Sequence, residues 1–361
     1  MALTGAMSAA ISGLKTHMEA LNVVGNNIAN VNTYGYKAQR VTFKESIYNT
    51  LSAGSGGTTT MGGTNPQQIG YGCGVGTIDL DMTTGSLEPT GMPTDCTIKG
   101  DGFFMVGPKG QKIEGVDNIK SLSLTRVGNF EFRDGYLVDR FSGNVVYGFV
   151  TTIGDPTQGA VTGGVLPDGG DLYPSTDLVP IRLPMKSTAT GTEGEAVYVG
   201  VDGDGYNIDP TTDVDGFIDY ENLSIDADGK ITCTNSATGD PVVVGYIAIA
   251  KVDNPNGVLH TDGPYYSAGD AAGDISVCTP NSSVTGNLRN NKMTDANGID
   301  PDSALLGKSG VSLLTSFLEQ SGTDLATEFS NMIVYQRGYQ ANTRIVTVTD
   351  SMLEELVNMK R

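Results

Sequence analysis

From Leu325 an apolar or aromatic residue returns at every seventh position, as Leu325, Met332, Tyr339, Val346 and Leu353, with no proline in the run. A repeat of this length predicts one long helix from Thr323 to Arg361. Thr323 and Asp324 are placed to cap its start, Glu328 falls in the first turn, and Lys360 and Arg361 close it, matching charge to the helix dipole at both ends. A second stripe, Ile345, Val348, Met352, Leu356 and Met359, lies roughly opposite the first along the C-terminal half. A helix apolar on two sides needs more than one partner.

The N-terminus supplies one. Met7, Ile11, Leu14, Met18, Leu21, Gly25 and Ile28 alternate in steps of four and three, the spacing of a coiled-coil seam. Between them the helix is small and nearly uncharged, with Ala9, Ala10, Gly13, Ala20 and Ala29, and only Lys15 and Glu19 ionised before Val31. Two arrangements fit: a helical hairpin joining the ends of a monomer, or paired helices that stack on copies of themselves. The expected contact residues are Met7, Ile11, Leu14, Met18, Leu21 and Ile28 with Leu325, Phe329, Met332, Tyr339, Val346 and Leu353.

Between the helices the period changes. Asn26, Asn27, Asn30, Thr33 and Gly35 crowd the end of the first helix and should turn the backbone before Lys37. Residues 41–48 fit a short strand or helix, and 52–63 form a Gly/Ser/Thr tract of linker composition. From Gly70 onward short apolar runs alternate with turn pairs. Phe130 and Phe132, then Asp134-Gly135, then Tyr136 and Val138 predict a two-residue hairpin. The stretch 271–306 is polar and aperiodic and reads as loop. The fold class is therefore α+β and multidomain, with terminal helices forming a coiled-coil inner domain and two mostly β domains nested as insertions. The expected boundaries are 1–31 with 322–361 for the helices, 32–70 for a connector, 71–146 with 242–321 for an inner β domain and 147–241 for an outer one.

Composition sharpens this picture. Forty-nine glycines in 361 residues suit short strands and tight turns. The net charge of −19 disfavours nucleic acid and anionic membrane as partners. From Tyr147 to Pro241 there are 16 Asp and Glu against 3 Lys and Arg, so −13 of the total sits in about a quarter of the chain. That contrast predicts buried ends and a solvated middle. No apolar run reaches membrane-spanning length, and a cleaved signal peptide is not expected from the first residues. Cys73, Cys96, Cys233 and Cys278 show no close pairing and read as free thiols.

Catalytic chemistry has little to stand on. With only His17 and His260, no histidine cage can be assembled without both. Gly307-Lys308-Ser309 lacks the earlier glycine of a phosphate loop, because Asp302 stands there. Asp202, Asp204, Asp209, Asp213, Asp215 and Asp219 could converge on calcium, but Thr211 and Asn222 replace the end ligands of an EF-hand loop. No enzyme activity and no cofactor are expected. The rival reading is a secreted acidic β-rich adhesin or calcium-binding surface protein with a helical stalk.

Several motifs together resemble the axial proteins of the bacterial flagellum. These are Ser12-Gly13-Leu14, Asn26-Asn27-Ile28-Ala29-Asn30 and Thr33-Tyr34-Gly35-Tyr36-Lys37 at the start, then Gly85-Ser86-Leu87, Thr90-Gly91 and Ile98 to Phe104. Thr125 to Phe130 and Asp134 to Leu137 continue the series. Gln320-Ser321, Asp324-Leu325, Asn331-Met332-Ile333, Gln336-Arg337, Tyr339-Gln340 and Leu356-Val357-Asn358 complete it. Within the family, Asn65-Pro66-Gln67-Gln68, the strand 242–250 and the extra β domain look hook-like, with a distal rod subunit as the alternative. Asp95-Cys96-Thr97 departs from the family's usual, more apolar strand start. The resemblance implies a helical homopolymer, exported without a cleaved signal, that bends as a universal joint. It also implies as partners the distal rod protein, the hook cap, the hook–filament junction protein and the export apparatus.

Overall fold

The computed structural model describes residues 2–57, 62–109, 119–153, 164–165, 172–174, 178–191, 193–198, 214–282, 286–287, 305–306 and 310–359. Asp202, Asp204, Asp209 and Asp213, the Gly307-Lys308-Ser309 motif, and Lys360 with Arg361 lie outside these. The fold is α+β and parts into two compact units, Met1–Thr83 with Ser321–Arg361, and Thr84–Gln320.

The first unit joins the two chain ends. Helix α1 (Ala2–Ala29) runs antiparallel to helix α2 (Leu325–Met359), with Asn27 bonded to Glu328 at one end of the pair and Gly13 against Asn342 further along. Strands β1 (Gln39–Glu45), β2 (Tyr48–Ser52), β3 (Gln67–Gly70) and β4 (Cys73–Leu80) follow α1. β1 pairs antiparallel with β4, from Gln39↔Leu80 to Glu45↔Cys73, with a bulge between Val41 and Phe43. β2 and β3 form a separate ribbon exposed along its whole length.

Residues 71–83, expected in an inner β domain, therefore belong with the helices. Backbone contact explains it: Thr16 Oγ1 donates to Cys73 O at 3.2 Å, and a Cβ on Gly72 would sit 1.9 Å from Ser12 Oγ. Gly72 itself has φ +108°, a conformation open to glycine.

The second unit is built on one large antiparallel sheet. Its early strands are β5 (Leu87–Pro89), β6 (Cys96–Lys99), β7 (Phe103–Gly107), β8 (Ser123–Thr125), β9 (Phe130–Arg133), β10 (Tyr136–Asp139) and β11 (Val145–Ile153). The main path runs Tyr220–Ile225, Lys230–Asn235, Pro241–Ile247, β11, β7, β8, Tyr265–Ala268, Val258–His260. Positions 147 and 241, expected as edges of an outer domain, thus lie within strands that pair with one another, Gly148 opposite Ile247. A smaller four-stranded sheet, in the order Gly164–Val165, Ala196–Tyr198, Met185–Ser187, Val214–Phe217, occupies part of the stretch between. The late run 311–318 returns to close the unit: Ser312–Thr315 pairs with β6, and Phe317–Glu319 with β5.

The core of this unit is Phe104, Phe130, Ile98, Val146, Ile247, Ile249 and their neighbours, all fully buried, with Phe104 and Phe130 edge to face at 5.1 Å. Asp134 (φ 52°) and Gly135 (φ 76°) make the two-residue β9–β10 hairpin, and both positive angles belong to the turn type that matches strand twist. Residues 275–278, expected in a loop, form a strand against Ile249–Val252, because four residues are too few to carry a readable alternation. Cys96, Cys233 and Cys278 are buried and Cys73 half-buried, all as free thiols. Burial pushes the Cys233 thiol up to about 11.

Gly128 marks the tightest backbone approach in this unit, since a Cβ there would lie 1.7 Å from Cys96 O. Gly128→Ala should therefore lower unfolding stability by about 2–3 kcal/mol. Gly269→Ala, whose Cβ would meet only Leu259 Cδ1 at 3.6 Å, should stay within about 0.5 kcal/mol of the parent in the same denaturant titration.

Candidate self-assembly site

The site begins where α1 ends. Asn27 is fully buried and uses its whole amide: Nδ2 donates to Gln39 O at 2.8 Å and to Glu328 Oε1 at 3.0 Å. Its Oδ1 accepts from Tyr36 Oη and from Gln39 N, each at 3.0 Å. One side chain thus ties the end of α1, the first strand and the first turn of α2. A buried amide with every valence filled specifies its surroundings, because any other arrangement strands polar groups.

The other motif residues shape the turn that makes this possible. Asn26 Nδ2 donates to Tyr36 Oη at 3.1 Å, Asn30 Nδ2 donates to Asn26 O at 3.0 Å, and Thr33 Oγ1 donates to Asn30 Oδ1 at 3.2 Å. Gly35 adopts φ 67°, which reverses the chain. Lys37 is buried, and its Nζ donates to Thr83 O at 2.8 Å, holding the strand pair's exit against its entrance. Gly322 N donates to Tyr36 O at 3.1 Å, bringing the start of the C-terminal segment to the same place.

Asp324 caps α2, its Oδ1 accepting from Ala326 N at 3.1 Å and its Oδ2 from Thr327 Oγ1 at 2.6 Å. Those bonds, the Thr327 hydroxyl first, hold its carboxyl below the usual range. Burial pushes the Glu328 carboxyl upward despite the bond from Asn27. Burial, and then the Glu328 charge, push the Tyr36 phenol up to about 12.

Along the helix pair the α1 face buried against α2 is Ala10, Gly13, Ala20, Val24 and Asn27, with His17 in the same row. From Ile11 onward this is the expected seam displaced by one residue. The expected residues sit on the flank instead: Met7, Leu14, Leu21 and Ile28 half-buried, Ile11 and Met18 exposed. Close backbone approach is the reason. A Cβ on Gly13 would lie 2.6 Å from Asn342 Nδ2, and one on Gly338 would lie 2.6 Å from His17, so each glycine receives the other helix's larger side chain.

On α2 the expected residues divide into two sets. Met332, Val346 and Leu353 are half-buried, while Leu325, Phe329 and Tyr339 are exposed. The intervening seam positions are Glu328, Tyr335, Asn342 and Thr349, three of them polar and so outside a hydrophobic reading. His17 packs in a triangle with Phe43 and Tyr335, at centroid distances of 5.7 and 6.2 Å. It is a packing residue. Among the described residues no group of three His, Cys, Asp or Glu is placed to hold a metal, and no helix is long and apolar enough to cross a membrane.

Two substitutions follow from this geometry. Asn27→Ala leaves four partners unsatisfied and should cost about 3 kcal/mol or more. Gly338→Leu cannot be housed against His17 and should splay the helices. Both should be read as loss of far-UV helical signal and faster proteolysis of the chain ends, with the β-rich unit intact.

Comparison with known proteins is consistent along the chain. The family model for flagella basal body rod protein matches residues 7–37, and that for flagellar basal body rod FlgEFG protein C-terminal matches 314–359. The flagellar basal-body rod protein FlgG of Bacillus subtilis is 33% identical over 352 residues, 97% of each chain. The flagellar hook protein FlgE of Borreliella burgdorferi is 27% identical over 97% of this chain and 98% of its own. The FlgE of Salmonella typhimurium is 26% identical over 98% and 99%. With its two chain ends matching these models and its whole length matching these relatives, the protein belongs to the rod and hook protein family of the bacterial flagellum.

Proposed function

We propose that this chain is a hook-type subunit, which polymerises into a flexible tube carrying torque from the rod to the filament. The observation that carries self-assembly is the apolar surface of the terminal helices, where Val348, Leu356 and Met359 are 52%, 54% and 82% exposed. Isolated surface leucines are ordinary, but a periodic stripe without charge calls for a partner. The self-assembly interface in this reading is Met7, Ile11, Leu14, Met18, Leu21 and Ile28 with Leu325, Phe329, Met332, Tyr339, Val346 and Leu353. The role is mechanical, with no catalytic step and no cofactor.

Hook rather than rod is favoured by the acidic stretch 147–241. Surfaces of one sign, screened beyond about 8 Å at physiological salt, make weak contacts that can slide as a tube bends. The rod reading has its own support, because the relative named a rod protein matches this chain end to end at nearly equal length. In the hook reading the partners are the distal rod protein, the hook cap, the hook–filament junction protein and the export apparatus that delivers the chain unfolded.

Electron microscopy of the purified, concentrated chain tests both levels. Curved hollow tubes are expected, straight rigid tubes would favour the rod, and an absence of tubes in every condition would end the self-assembly reading. Replacing most carboxylates of 147–241 with amides should straighten the tubes. Leu14→Asp or Met332→Asp should leave a soluble β-rich monomer.

A further inference from the structure

The acidic stretch 147–241 enters and leaves the rest of its unit on strands. β11 carries the chain in, and all nine of its residues are paired. On one side Val145 stands opposite Val138, Tyr147 and Gly148 opposite Pro180 and Val179, and Thr151 to Ile153 opposite Pro174 to Leu172. On the other, Val145 and Val146 face Gly107 and Val106 of β7, and Gly148 to Val150 face Ile247 to Gly245. Hinges are loop or element-terminal residues whose backbone angles are free to change. A strand held along its whole length supplies none at residue 147.

The return path is similar. Pro241–Ile247 is followed by Ala248, fully buried, and the chain continues as Ile249–Val252 against β7 and Ile275–Cys278. Where the two paths meet, backbones touch: a Cβ on Gly148 would lie 2.3 Å from Tyr246 O, and one on Gly245 would lie 2.4 Å from Phe149 O.

Further bonds stitch across the same boundary. Ile181 N donates to Val146 O at 2.9 Å, Leu137 N to Ile181 O at 3.0 Å, and Leu183 N to Gly135 O at 2.8 Å. At the turn between Tyr220–Ile225 and Lys230–Asn235, Leu313 N donates to Ala227 O at 3.2 Å and Asn281 Nδ2 to Asp228 Oδ1 at 2.8 Å. The buried cluster that contains Ile98 and Phe104 also contains Ile225, Ile231 and Val242, so one apolar interior underlies both parts. Close-packed interiors transmit strain and yield little.

We infer that Thr84–Gln320 is one stiff strut with no swivel inside it, so that a bending polymer carries this unit as a single body and takes up its strain elsewhere. The clause about the polymer rests on the self-assembly reading, whereas the stiffness belongs to the single chain. Tilting the acidic part on the rest would part the ladder on both sides of β11 and open the shared interior to water. The sliding of like-charged skins proposed above is then a motion of whole units past one another.

Paired spin labels test this on the full chain in a Cys73→Ser background, where the remaining three thiols are buried. Lys99 and Glu221 are exposed strand residues, one from each side of the boundary. With labels on Lys99→Cys and Glu221→Cys in one chain, dipolar spectroscopy should give a single narrow distance distribution. That distribution should not change when the labelled chain is diluted into polymers of unlabelled chain. A broad or two-peaked distribution, or a distance that differs between monomer and polymer, would overturn the inference. Failure of the unlabelled parent to polymerise would count against self-assembly alone, because the monomer distribution still decides whether the strut is stiff. Hydrogen exchange in rising denaturant gives a second readout: the amides of β7 and of Lys230–Asn235 should open in one common transition. Gly148→Ala should speed exchange in both strands by the same factor. Earlier opening of Lys230–Asn235, or an acceleration confined to it, would also overturn the inference.

Discussion

Everything in the first unit hangs on one buried amide. Asn27, at the end of α1, satisfies four backbone and side-chain groups at once: two belong to Gln39 of β1, one to Tyr36 in the turn and one to Glu328 in the first turn of α2. No apolar residue could hold these elements in register, because contact between apolar surfaces is non-directional. The small stripe Ala10, Gly13, Ala20 and Val24 then draws the helices together, with Gly13 and Gly338 each admitting a side chain of the opposite helix.

Charge is divided along the same line as structure. The stretches 1–83 and 321–361 hold nine acids against eight bases, so nearly all of the −19 belongs to 84–320. Residues 46–78 contain no charged side chain at all, although β2 and β3 are exposed throughout. An exposed surface without charge offers a second copy no electrostatic repulsion. The β-rich unit has the opposite character, an apolar core inside a strongly acidic skin that resists aggregation.

The helices, the Asp134-Gly135 hairpin and the turn at Gly35 were legible because periodicity and positive-φ residues are local signals. The one-residue displacement of the seam was not. A hydrophobic reading selects Met7, Ile11 and Leu14, whereas the intrachain contact is decided by which row lets backbones approach, and that row is small and partly polar. On α2 the contact positions Asn342 and Thr349 are polar and equally silent in such a reading. The domain edges at 147 and 241 also escaped the sequence, since acidic turns mark solvent exposure and not the strand pairing that crosses them.

The bond between Asn27 and Glu328 spans 301 positions of chain. Closing a flexible loop of that length costs roughly 5 kcal/mol in chain entropy, more than one hydrogen bond returns. Once the intervening β unit has condensed, the effective tether shortens to the few residues on either side of it. The order of events is therefore built into the connectivity: the ends remain apart while the body is unfolded, and a chain still being made cannot latch before its final forty residues arrive.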